Sequence, residues 1–178
     1  ISIDGLGYAS FQRFKGNLPV LSGLAKEGAI ASSKTVFPSM TWPSHASILT
    51  GCHPRRHGVL GNRTLNRSLG RVVHASNVPY KDAFRVETLL DIAHEKGLKT
   101  AAILWPSTRQ AASVDFNIPE VYGQKKFNRW SSKGLLKRLR AAGLPSHKLG
   151  EFSKTQHFLQ DSFARDAAIE ILTKDRPH

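Results

Sequence analysis

The stretch "AIASSKTVFPSMTWPSHASILTG", residues 29–51, decides the fold. Residues 29–36 are small or β-branched and suit a strand. From Pro43 to Thr50 the chain suits a short buried helix, with proline in the first turn and Gly51 as its stop. Around their junction lie three hydroxyls, Ser39, Thr41 and Ser44, followed by His45. Backbone N–H groups at a helix start lack intrahelical partners and point outward, so they bind anions. The dipole there also stabilises an alkoxide. Thr41, immediately before the predicted helix, has the setting of a nucleophile toward phosphate, provided a metal or base activates it. It has equally the setting of a simple N-cap. Ser39 falls in extended chain, and Ser44 falls inside the helix.

Working outward, Ile1–Ile3 is apolar and β-branched, and Asp4-Gly5 ends it, which predicts strand then loop. Residues 17–27 predict a helix stopped by Gly28. Residues 86–97 predict another, with Val86, Leu89, Leu90 and Ala93 on its buried face. A buried strand is expected over 99–105, and helices over 131–143 and 155–174. In the last of these, Leu159, Phe163, Ala167 and Ile171 recur four apart. The early strand–helix–strand–helix rhythm predicts an α/β layer fold with mainly parallel strands flanked by helices. Both ends read as cut: the chain begins with Ile at the end of a strand and stops at the exit of a helix.

The 178 residues, 40% hydrophobic and 22% charged, suit one globular domain rather than a disordered chain. No apolar run reaches a membrane span. The single cysteine, Cys52, excludes an internal disulfide framework. The formal net charge is +13, and much of it is local. Lys125, Lys126, Arg129, Lys133, Lys137, Arg138, Arg140 and Lys148 fall between Val121 and Gly150 with no acidic residue among them. Such a field draws phosphate esters or polyanions. It reads first as a solvated basic face.

Asp4 closes an apolar strand, and that edge of an α/β sheet is where ligands bind. A carboxylate there is a hard-oxygen ligand for a cation, or else a turn residue. Gly5-Leu6-Gly7 lacks the third glycine of a dinucleotide fingerprint, since position 10 is Ser10. His45, Cys52, His53 and His57 could be read as zinc ligands, but their spacing matches no common pattern. Asn62 lies in a glycine-bearing loop, and its amide could donate to a developing phosphate oxyanion.

Three segments in this order, "ISIDGLGYASF", "NLPVLSGLAKEGAIAS" and "TVFPSMTWPSHASILTGCHPRRHGVLGN", resemble the nucleotide pyrophosphatase/phosphodiesterase branch of the alkaline phosphatase superfamily. "ETLLDIAHEKGLKTAAILWP" resembles the helix and strand that follow in that family. The likeness is dense over residues 1–106, thin over 107–154, and resumes at the helix of 155–174. It implies an alkaline-phosphatase-like sheet and places the 178 residues as the N-terminal part of one catalytic domain.

The resemblance implies Thr41 as nucleophile and metal ligand, Asp4 as metal ligand, and Asn62 as the contact to a phosphate oxygen. His45 and His57 match positions that are not metal ligands there. It also implies two divalent ions, zinc in the family, whose remaining ligands would lie beyond residue 178. The expected activity is hydrolysis of nucleotide-type phosphodiester or pyrophosphate bonds on a small phosphate-ester substrate, in an exported protein. The isolated 178 residues are expected to be inactive. Two alternatives stand beside this: a non-catalytic phosphate-binding pseudoenzyme, and a nucleic-acid-binding module using residues 125–148. The second is not favoured, because only Phe127 and Trp130 interrupt the basic run.

Overall fold

A computed structural model describes residues 1–67 and 69–178. The chain divides into two compact units, Ile1–Thr35 and Val36–His178. The first is helical. Leu6 N–H donates to the Ile3 carbonyl at 3.4 Å, so Asp4 and Gly5 form the centre of a turn. Gly5 takes φ 77°, a region glycine enters without a Cβ clash. Helix α1 (Tyr8–Phe14) follows, then α2 (Pro19–Glu27). Pro19 opens α2 because its missing N–H would have been unpaired there anyway. The strands expected at residues 1–3 and 29–36 do not form. β-branched composition favours a strand only where a neighbour completes the ladder, and neither segment pairs among the described residues.

The second unit holds α3 (Thr41–Thr50), α4 (Pro54–His57), β1 (Arg63–Asn66), β2 (Arg71–His74), α5 (Tyr80–Ala83) and α6 (Leu89–Glu95). After these come β3 (Ala101–Trp105), β4 (Phe116–Pro119), α7 (Gln124–Trp130), α8 (Leu135–Ala141), α9 (Leu149–Thr155) and α10 (His157–Lys174). Strands β1 and β2 pair antiparallel, with Arg63 opposite His74. Strands β3 and β4 pair parallel, with Ala101 opposite Phe116. Among the described residues the fold is thus a helix–strand mixture with two small sheets; β3–β4 is one parallel pair, and the mainly parallel sheet expected from the sequence is not confirmed.

The largest core lies against β4. Ile118, Phe127 of α7, Leu139 of α8, Leu149 of α9, and Phe163, Ala167 and Ile171 of α10 are all but inaccessible and pack together. The four-residue spacing read in α10 therefore does face the core, with Leu159 half-buried at its start. Arg138 of α8 donates to Asp175 through Nη1 at 2.7 Å and through Nη2 as well, pinning the end of α10. This pair also removes Arg138 from the cations open to a ligand.

Helix α6 corrects the expected face. It begins at Leu89 rather than residue 86, because Thr88 and Asp91 close a capping box. Asp91 N–H donates to Thr88 Oγ1 at 3.2 Å, and Thr88 N–H donates to Asp91 Oδ2 at 2.9 Å. Thr88 is fully buried and meets the Tyr80 hydroxyl at 2.5 Å, while Ser113 donates to Asp91 Oδ1 at 2.6 Å. This polar box faces inward, so Leu89 is turned out and is 64% exposed. Burial pushes the Tyr80 hydroxyl up to about 12.

Partial burial pushes the Asp91 carboxyl up, but donors from Ser113 and Thr88 outweigh it and leave its pKa below the ordinary value. A depressed carboxylate contributes stability above its unfolded pKa and loses it as pH falls through the folded one. Between neutral pH and about pH 3, the wild type should therefore lose more stability than Asp91→Asn. Urea midpoints at the two pH values check this, and parallel losses in both proteins would refute it.

Candidate active site

Helix α3 starts two residues earlier than predicted, so Thr41 is its first residue and not its cap. Met40, extended at φ −124° and ψ 157°, holds the cap position, and its side chain makes no capping bond. That bond comes from elsewhere. Trp42 N–H donates to Asn62 Oδ1 at 3.1 Å, across 20 residues of sequence. Because the backbone partner is a donor, the amide atom facing it must be oxygen. The Nδ2 amino group then occupies the other branch of the Asn62 side chain and is the donor that remains for a ligand. The structure thus brings Thr41 and Asn62 to one helix start.

Asn62 is held from both sides. Its carbonyl accepts from Ala75 N–H at 2.9 Å, which ties the end of β2 to this turn. Trp42, Ala46, Val59 and Ala75 form a buried cluster beneath, with Phe84 against it. The ring of His74 meets Trp42 edge-on at 4.9 Å between centroids, and Tyr122 meets His74 at 5.6 Å. Burial, with Arg63 and Lys126 nearby, holds the His74 pKa below its ordinary value.

The histidines serve the frame. His45 Nδ1 lies 2.8 Å from the Thr41 carbonyl, which can only accept, so the ring donates there. The ring also meets Trp105 edge-on, at 5.0 Å between centroids. The β3–β4 register shifts between Ile103 and Trp105, and Leu104 takes φ 52°, a left-handed region that a leucine enters only under constraint.

His57 is fully buried and accepts Val59 N–H at Nδ1 over 3.1 Å. Its Nε2 must then carry the proton, and it donates to Ser47 Oγ at 3.0 Å. Ser47 and His57 resemble a nucleophile–base pair in proximity alone, because the tautomer leaves no lone pair toward the hydroxyl. Burial lowers the His57 pKa; the Pro43 carbonyl opposes this and His53 adds to it.

Among the described residues, no three His, Cys, Asp or Glu side chains are grouped to hold a metal ion. The reading of His45, Cys52, His53 and His57 as a zinc cluster therefore finds no support in the geometry. Cys52 and His53 instead line a shallow depression with Arg55 and Arg56 at the far end of α3. Asp4 stands at the turn of the first unit. Asp161 is exposed, and Asp166 is bonded by Arg165 Nε at 2.7 Å on the open face of α10, as surface residues should be. In the basic segment Phe127 is fully buried and Trp130 is covered by two guanidinium groups, so no aromatic face is offered to a base.

Sequence reasoning named Thr41 and Asn62 as candidates but missed the hydrogen bond that brings Asn62 to the start of α3. The signal was present as an Asn following two closely spaced glycines, yet nothing local says which N–H it caps.

The family description "Type I phosphodiesterase / nucleotide pyrophosphatase" matches residues 1–177. The chain is 29% identical over 129 residues to the Homo sapiens ectonucleotide pyrophosphatase/phosphodiesterase family member 1, covering 68% of this chain and 13% of that protein. It is 30% identical over 113 residues to a Bos taurus bis(5′-adenosyl)-triphosphatase, covering 61% of this chain and 24% of the relative. It is 24% identical over 131 residues to the Crotalus adamanteus venom phosphodiesterase 2, covering 72% and 16%. The matched part is thus a quarter or less of each of these relatives. No helix among the described residues is long and apolar enough to cross a membrane.

Proposed function

The chain belongs to the type I phosphodiesterase/nucleotide pyrophosphatase family, a family of hydrolases, and from that premise we propose that the full-length protein hydrolyses phosphodiester or pyrophosphate bonds of nucleotides through Thr41. The observation that supports this most is the Asn62–Trp42 hydrogen bond, which gathers a hydroxyl and an amide donor at one helix start. In this reading the Thr41 Oγ–P bond forms as the ester P–O bond breaks, and the hydroxyl proton ends on the departing oxygen, which leaves as an alcohol or phosphate. Water then cleaves the Oγ–P bond and frees the enzyme. Asn62 Nδ2 donates to the non-bridging oxygen as charge develops on it. His45 holds the Thr41 carbonyl, and so fixes the residue whose hydroxyl reacts.

Asp4 and Thr41 are this chain's proposed ligands to the divalent ions that the family resemblance implies. Two oxygen donors are short of the about four that zinc takes, and the described residues add no third grouped ligand. They do not make a metal site by themselves, and no step is derived through one. The names of the relatives, ectoenzymes and a venom enzyme, support an exported location for this protein and a nucleotide as its substrate.

Asn62 offers the test, because its two branches have separate tasks. Asn62→Asp keeps an oxygen for Trp42 N–H but puts an anion where the donor was. Asn62→Ala loses both. On a nucleotide phosphodiester, both variants should lose about 10²–10³-fold in kcat. Only Asn62→Ala should also lose about 1 kcal/mol of stability, the worth of a cap. Unchanged kcat in Asn62→Asp would remove Asn62 from the reaction.

A further inference from the structure

Two cations of the basic segment, Lys126 and Arg129, gather with a third from outside it, Arg109. Arg129 and Trp130 sit in the last turn of α7, and Lys126 lies one turn before them. The guanidinium of Arg129 stands 4.6 Å from the centre of the Trp130 ring, and that of Arg109 stands 4.4 Å from the same centre. Two cations that share one ring are no more than roughly 9 Å apart, about a Debye length at physiological salt. Lys126 Nζ donates to Asn77 Oδ1 at 2.7 Å, and Arg109 Nη1 donates to the Asn77 carbonyl. Three cations thus meet around Asn77 and Trp130.

The positions are built rather than incidental. Tyr80 N–H donates to the Arg109 carbonyl at 2.8 Å, so this residue is held by backbone and side chain together. Arg109 also lies within a strained run: Leu104, Ser107 and Gln110 take φ of 52°, 63° and 60°. Such conformations persist only where the surroundings enforce them, and they gather at ligand sites. Arg109 Nε is buried and bonds nothing among the described residues. Burial and the Arg129 charge both lower the Arg109 pKa, so the cluster carries repulsion that an anion would relieve. Arg129 and Asn77 are exposed, which leaves the cluster open to solvent.

We propose that Arg109, Lys126 and Arg129, gathered around Trp130 and Asn77, form a binding site for a phosphate-type dianion, taken either as free phosphate or as the phosphate group of a monoester. Three positive charges suit two negative ones, and guanidinium groups present paired donors to phosphate oxygens. The cluster shares no residue with the Thr41–Asn62 site. The Lys126 charge is felt at His74, whose ring meets Trp42. It does not depend on the reading of Thr41 as nucleophile.

Calorimetric titration of the full-length protein with inorganic phosphate, and separately with glycerol phosphate, tests this without turnover. At least one ligand should bind, and its affinity should fall tenfold or more in both Arg129→Ala and Lys126→Gln but not in Asn62→Ala. Loss for inorganic phosphate assigns the site to the free ion. Loss for glycerol phosphate alone assigns it to an ester. The proposal is overturned if neither ligand binds more weakly to those variants. It is overturned as well if Lys137→Ala and Arg140→Ala weaken binding equally, or if binding requires nucleic-acid length and grows with it. These latter results would describe a diffuse basic face. Loss in Asn62→Ala alone would place the only anion site at α3 and would also overturn it.

Discussion

Thr41→Ala in the full-length protein is expected to lower kcat/KM on a nucleotide phosphodiester by at least about 10³-fold, because it removes the only atom proposed to bond to phosphorus. The fold should barely notice. The bond between Trp42 N–H and Asn62 does not involve the Thr41 side chain, and Met40 rather than Thr41 holds the cap position. Any change in stability should stay within the ordinary range for a single substitution, about 0.5–3 kcal/mol, too little to account for the loss of rate. Thr41→Ser, which keeps the hydroxyl, should recover much of the rate. Steady-state rates on the three proteins decide the matter. If Thr41→Ala kept wild-type activity while Ser39→Ala or Ser44→Ala lost it, the nucleophile would be one of those serines.

The second large effect is on stability. Phe163→Ala should cost about 3–5 kcal/mol, since it empties a side chain that is 2% exposed and packed among β4, α7, α8 and α9. Against a total of about 5–15 kcal/mol for a typical domain, this brings the protein close to unfolding at moderate temperature. Phe158→Ala is the control on the same helix. It is 70% exposed and should change stability by less than about 0.5 kcal/mol. Urea denaturation of both proteins measures the contrast, and similar midpoints would mean that α10 is not anchored through Phe163.

What the sequence made legible was periodic or local. The spacing of Phe163, Ala167 and Ile171 named the buried face of α10 because a helix repeats within its own segment. The hydroxyls around Pro43 named a helix start for the same reason. The strands expected at residues 1–3 and 29–36 were not legible in this sense, because a ladder depends on a partner that no local pattern specifies. Helices α7 and α9 were missed since each has seven residues and no side-chain cap to announce it. Leu89 was assigned to the wrong side because a polar box, Thr88 with Asp91, took the interior instead. At the candidate site, residues could be proposed from the chain but their connectivity could not. Thr41 and Asn62 could be named from the chain, but the bond to Trp42 exists only once the intervening loop has closed.

That bond also sets the smallest portable unit of the site. A graft limited to α3 would carry the hydroxyl to a new scaffold and leave behind the cap that orients it. Residues 40–62 carry both groups, yet Ala75 still anchors Asn62 from outside that span. An engineer who wishes to transplant this arrangement must therefore move the chain from Met40 through Ala75 as one cassette, with a seat for the Trp42 ring.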